Sequence, residues 1–329
     1  MSSRVGSSGA FRRRGIDLTN GVAVALALIL SVLFASRCGG GLFSVGPTAD
    51  ASLPVERLVD AAGQRVPIRH YRRIASVGIV ADRLLLELSE PDRIVAFTRR
   101  ARHVYQGYRF SPRKAVLGPG DIERLLALQP DLVLINKFTP SSFRQALRRA
   151  GIQTFDLGGM YGLPSLVKAI ERVGALVGRA AAGRQQARRF VERLESIARR
   201  LPSGTPQRSA IYLGLHGGTL TGGSRGTSFH EILRFAGLRD AAAATLSGWP
   251  RMSAETVLAI DPEVILTQTG MARRLCQRPG FAKVRACRPG GQLVELPAQL
   301  LVDPGLPILE AAERLYAAVY GQQRQRRAR

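Results

Sequence analysis

Acidic residues are scarce in this sequence: 24 Asp and Glu stand against 48 Lys and Arg, a formal net charge of +24 over 329 residues. Lysine is scarcer still, with only four in the chain, so arginine carries the excess. The arginines are spread through every amphipathic segment, and no basic stripe is interleaved with the few aromatics, which argues against nucleic acid as a partner. The charge supports affinity for anionic ligands or anionic membrane surfaces. Histidine and cysteine number 4 and 3. Direct capture of a divalent metal would need three or four converging His, Asp or Glu ligands, and no metal site is expected. There is no P-loop, no strand followed by GxGxxG, no nucleophile elbow and no HExxH, so nothing points to an enzyme. The glycine-rich stretch 217–226 lacks a phosphate-binding pattern and reads as a flexible approach to a ligand or as a hairpin turn.

What is present begins with enough apolar residues, 45%, to build cores in a chain about two domains long,. The stretch 179–201 organises the rest. Ala187, Phe190, Val191, Leu194, Ile197, Ala198 and Leu201 recur at three- and four-residue spacing, with arginine and glutamate between them,. The spacing predicts a helix of ~35 Å, stopped by Pro202, that is either a strut between two halves or a surface helix of one domain.

The amino end predicts export. Arg4, Arg12, Arg13 and Arg14 precede an unbroken apolar run at 21–35, the length of a secretory core segment rather than a membrane span of ~20 residues,. Cys38 stands where a lipoprotein cysteine would, but Arg37 spoils the usual small-residue position before it. A lipidated Cys38, a cleaved soluble chain and an uncleaved anchor (residues 1–38) all remain open, with 39–54 as a flexible tether. Export to an oxidising compartment predicts a disulfide between Cys276 and Cys287. Zinc is the rival, short of ligands at that spacing.

From 55 onward strands and helices alternate, which predicts α/β lobes with mostly parallel sheets covered on both faces. The expected lobes are 55–178 and 202–321, joined by the helix 179–201 and followed by a basic tail at 322–329. The two halves share a grammar: Glu123 opens a short helix that breaks at Pro130 before an apolar strand, and Glu255 does the same before Pro262.

With DAAGQRV at 60–66, RRIASVG at 72–78, DIERLLALQPDLVL at 121–134, SFHEILRFAGLRDAA at 228–242 and MSAETVLAIDPEVIL at 252–266, the chain resembles the periplasmic substrate-binding proteins of ABC importers for iron–siderophore complexes, heme and cobalamin. The resemblance implies two Rossmann-like three-layer lobes joined by a single long helix, a ligand cleft between them, and modest closure. It implies a non-enzymatic, monomeric receptor that hands a small-molecule metal chelate, of iron–siderophore type, to an inner-membrane permease. Heme or cobalamin is the alternative. It further implies that Glu123 and Glu255 dock on permease arginines, although each also suits the start of its own helix.

Loops after strand carboxyl ends are the expected ligand site. They offer Arg99, Arg100, Arg102, Arg225 and Arg251 for an anionic chelate, with Tyr105, Tyr108, Tyr161 and Trp249 for its flat parts. Trp249 is equally suited to a core. His103 or Tyr105 would serve as an axial donor to heme iron, and His230 reads as a helix-end hydrogen-bonding residue.

Overall fold

The computed structural model describes residues 56–104, 115–118 and 120–327, with the side chains of 102–104, 116, 216 and 322–327 excepted. The export segment with Cys38, the tether through residue 55, Tyr105 and Tyr108 therefore lie outside the described residues, as do the side chains of Arg102, His103 and His216.

A short antiparallel hairpin, β1 (Arg57–Val59) and β2 (Arg65–Pro67), opens the described chain. The first lobe then alternates β3 (Ile74–Ser76), α1 (Ile79–Leu88), β4 (Ile94–Thr98), α2 (Arg99–Val104), β5 (Ala115–Leu117), α3 (Ile122–Ala127), β6 (Leu132–Ile135), α4 (Ser141–Arg149) and β7 (Thr154–Asp156). Its five strands lie parallel in the order β5-β4-β3-β6-β7. Helix α5 (Leu163–Leu176) closes it and turns into α6 (Ala180–Ala198). The second lobe comprises β8 (Ser209–His216), β9 (Thr219–Gly223), α7 (Ser228–Phe235), β10 (Arg239–Asp240), α8 (Ala254–Ile260), β11 (Val264–Gln268), α9 (Ala272–Cys276), β12 (Gln292–Leu296), α10 (Ala298–Leu301) and α11 (Ile308–Arg327). Its sheet runs β10-β8-β11-β12 in parallel, with β9 folded back antiparallel on β8. The glycine-rich stretch is thus a hairpin, and no helix among the described residues is long and apolar enough to cross a membrane.

Strand alternation decides which core each side chain joins, because successive residues point to opposite faces of a sheet. Leu132 and Leu134 of β6 enter the main core, while Val133 and Ile135 enter a second cluster with Leu125 and Leu147. In the other lobe Ala210 and Tyr212 of β8 face the main core, while Ile211 and Leu213 pack with Val257 and Phe281. Both sheets are therefore covered on two sides. The main core is continuous from the first lobe through α6 to the second.

Helix α6 buries Ala187, Phe190, Leu194 and Ile197, the stripe expected from spacing. It is 19 residues, or ~28 Å,. The last turn tightens ahead of Pro202, because a residue before proline is pushed out of the α region. Gly174 and Gly183 let α5 and α6 touch backbone to backbone: a Cβ on Gly174 would stand 2.7 Å from the Gly183 Cα. Arg99, Arg100 and Arg102, expected on a loop after a strand, lie instead in α2, where the Thr98 hydroxyl accepts the Ala101 N–H at 3.3 Å. The closing helix α11 also runs into the expected tail.

The repeated sequence grammar has a repeated physical function. Gln129 and Asp261, each with φ 44°, end α3 and α8 in the left-handed region, and a proline follows. The next acidic residue clamps the start of the lobe's central strand. Asp131 accepts the Arg72 and Arg73 N–H groups at 2.7 and 2.9 Å, and Glu263 accepts the Ser209 N–H at 2.7 Å. Cys276 and Cys287 form a disulfide, with 5.6 Å between their Cα atoms, beside Leu275 and Ala286 in the second lobe's outer core.

Candidate functional site

In both lobes the strand carboxyl ends converge on a cleft of about 1060 Å³, at the upper limit of ~300–1,000 Å³ for small-molecule pockets. The first lobe supplies the ends of β3, β4, β5, β6 and β7, and the second supplies Tyr212, Leu215 and Gln268 with the start of α7. Three large aromatics that line it stay open to solvent: Phe138, Tyr161 and Trp249, at 75%, 51% and 47% exposure. They stand out because most large apolar side chains here are buried. Its described lining holds Arg99, Arg100 and Lys137 and no carboxylate.

The exposed aromatics rest on a fixed frame. Arg144 bonds Asp156 Oδ2 at 2.6 Å and the Thr139 carbonyl at 3.1 Å, and also reaches the Asn136 carbonyl, so one guanidinium sets the loop that carries Phe138. Its fork geometry suits three acceptors in one plane. Tyr161 leans on the Gly159 backbone, where a Cβ would meet the ring at 2.6 Å, and its hydroxyl accepts from Lys137 Nζ at 2.5 Å.

On the second-lobe side Tyr212 stacks on Phe229 with ring centroids 3.5 Å apart. Burial pushes the Tyr212 hydroxyl up to about 12, with the nearby Gln268 side chain opposing. That hydroxyl makes no hydrogen bond of acceptable geometry among the described residues, an exception for a buried polar group,. Beneath the floor, Asp82 is wholly buried and accepts the Thr98 hydroxyl at 2.5 Å and the Ser76 hydroxyl.

Of the residues expected from sequence, Arg99, Tyr161 and Trp249 line the cleft, and Arg100 joins them. Arg225 and Arg251 do not. Both are exposed, and their backbones form isolated bridges with Ser247 and Thr221. Glu123 and Glu255 are exposed in the first turns of α3 and α8, without an ion pair among the described residues. His230 bonds Asp240 at 2.8 Å and its N–H meets the Thr227 cap, the helix-end role expected of it. No three His, Cys, Asp or Glu side chains among the described residues are grouped to hold a metal. Sequence reasoning missed Tyr212, the start of α1, Leu301, Val302 and Pro304. A mid-strand tyrosine reads as core, and the last segment reaches the cleft only through chain folding.

Two parallel-sheet lobes hinged on one helix, with a cleft at their strand ends, define the two-lobed binding-protein class. The chain belongs to the periplasmic binding protein family, whose sequence model matches residues 74–300. Among its relatives is a cobalamin-binding protein of Halobacterium salinarum, 26% identical over 59% of this chain and 53% of that protein. The chain thus spans about half the length of that relative. YvrC of Bacillus subtilis, an ABC transporter substrate-binding lipoprotein, is 23% identical over 89% of this chain and 95% of that one. A periplasmic heme-binding protein from Pseudomonas aeruginosa has the same fold at TM-score 0.63 and 25% identity, over 76% of this chain and 93% of that one.

Proposed function

We propose that this chain is an exported substrate-binding receptor of an ABC importer, which captures a metal chelate in the interlobe cleft and delivers it unchanged to a permease. The observation that carries the reading is the cleft itself, where three exposed aromatics stand over a described lining without carboxylates. Exposed rings are suited to the flat faces of a large organic ligand, and arginine and lysine to a negative periphery. An iron–siderophore complex fits this description. The aromatic lining, together with relatives named for cobalamin and heme, favours a tetrapyrrole-type chelate over it.

Trp249 is the chain's only tryptophan and lines the cleft, so it reports on occupancy. Titration with hemin, cobalamin and ferric siderophores is expected to give saturable quenching by one of them, with the chelate recovered chemically intact. Absence of both quenching and calorimetric heat with every probe would remove the reading.

Delivery is assigned to Glu123 and Glu255, one at the start of a helix in each lobe, where two carboxylate oxygens suit a permease guanidinium. The double variant Glu123→Ala with Glu255→Ala is expected to bind the chelate normally and fail in transport. Unchanged transport would dismiss the docking role.

A further inference from the structure

Beside the cleft, on the first-lobe side, lies a smaller pocket of about 450 Å³ that shares Lys137, Gly158, Gly159 and Tyr161 with it. Helix α5 forms one wall and contributes Ser165, Lys168 and Arg172, roughly one turn apart. Asp156, at the end of β7, is the only carboxylate in the described lining, and its oxygens are already engaged. Oδ2 pairs with Arg144 at 2.6 Å, and Oδ1 accepts the Gly158 N–H at 2.7 Å.

Lys137, Lys168 and Arg172 therefore line the pocket without an acidic partner among the described residues. Lys137 is held at the boundary, bonded to the Tyr161 hydroxyl at 2.5 Å and lying 5.0 Å from that ring's centroid. Two of the chain's four lysines meet here, although arginine supplies nearly all its other positive charge. With Asp156 neutralised by Arg144, the remaining charges are positive and concentrate counter-ions, and compact ammonium groups bind oxyanions as point charges without needing a planar match,.

We infer that this side pocket is an oxyanion subsite, taking a carboxylate or phosphate group carried by the ligand of the adjoining cleft. The inference rests on the proposed cleft function only for the source of the anion. An arm leaving the cleft past Tyr161 enters a space where Lys137, Lys168 and Arg172 have no acidic partner among the described residues.

The test is calorimetric titration of the full chain with citrate and, separately, with inorganic pyrophosphate in ~0.15 M salt, where exposed charges more than ~8 Å apart are largely screened. Saturable binding of at least one is expected, and the tighter anion distinguishes carboxylate from phosphate. Lys168→Gln with Arg172→Gln is expected to weaken it about ten-fold or more, the loss of at least one charge-assisted bond. Arg273→Gln with Arg274→Gln removes the same charge from exposed positions on α9 and is expected to stay within about two-fold, as distant screened charges do. Thermal melts of both double variants verify folding. No saturable binding, or equal loss in the two variants, overturns the subsite. Trp249 titrations on the same preparations separate the two ideas. Quenching by a chelate without anion binding overturns the subsite and leaves the cleft reading, whereas anion binding with neither quenching nor calorimetric heat from any chelate keeps the subsite and overturns the cleft reading.

Discussion

Asp82 accepts bonds from the Thr98 hydroxyl at 2.5 Å and the Thr98 N–H at 3.2 Å, besides one from Ser76. Burial outweighs those donors and, with the charge of Asp303 adding to it, carries the carboxyl up to about 7. The folded chain thus keeps a proton that the unfolded chain releases near pH ~3.9. The stability this proton contributes is complete below about pH 4 and is lost as pH rises through 7. Urea midpoints at pH 5 and pH 8 are expected to fall more steeply for the wild type than for Asp82→Asn, which cannot ionise, by up to ~3 kcal/mol. Parallel pH dependences would show that Asp82 does not titrate in this window. Gln129 and Asp261 make a second comparison, since both hold φ 44°. Left-handed backbone costs a non-glycine residue ~1 kcal/mol. Gln129→Gly is expected to stabilise by ~0.5–1 kcal/mol in chemical denaturation. Asp261→Gly is expected to destabilise, because the Asp261 carboxylate also holds Arg285 through N–H at 2.7 Å and Nε at 2.9 Å. Stabilisation by both changes would contradict the distinction.

Helix α5 starts at Gly162, which offers no side-chain cap, and the missing acceptor comes from the other lobe. Glu231 of α7 accepts the Leu163 N–H at 3.1 Å through one oxygen and bonds Arg234 at 3.0 Å through the other. A carboxylate at a helix amino terminus meets both its free N–H groups and its dipole. The bond also pins the lobes together immediately after the Tyr161 loop. Glu231→Ala is expected to cost ~1–2 kcal/mol of stability and to weaken chelate binding, with Glu231→Gln recovering part of both. Melting curves and Trp249 titrations on the two variants check this. An unchanged melting temperature in the alanine variant would rule the cap out.

The main core does not stop at the boundary between lobes. Phe155 and Leu166 of the first, Phe190 and Leu194 of α6, and Ile232 and Leu315 of the second belong to one buried cluster. Packed interiors shift between discrete arrangements rather than deforming freely. With α6 lying on α5 at the glycine contact and Glu231 bridging the lobes, closure about the cleft is expected to be small, and a large compaction in small-angle scattering on ligand binding would contradict this,.

Periodicity and breakers were enough to read most of the fold. The apolar stripe of α6 and the short helix opened by Glu255 follow from local spacing alone, because helical pattern and capping act over a few residues. The paired helix–proline–strand units were legible for the same reason, and the two-lobed class was implied by the family resemblance they help carry. The cleft was legible in part: Arg99, Tyr161 and Trp249 follow strand ends, and topology places such loops together. Arg225 and Arg251 fall outside the cleft's described lining, which no local pattern around them foretells. Tyr212 lies under Phe229 because two elements cross there, and Lys137, Lys168 and Arg172 share a pocket only once α5 packs beside β7. Such neighbours are distant along the chain, so their meeting is set by long-range packing that no local pattern encodes.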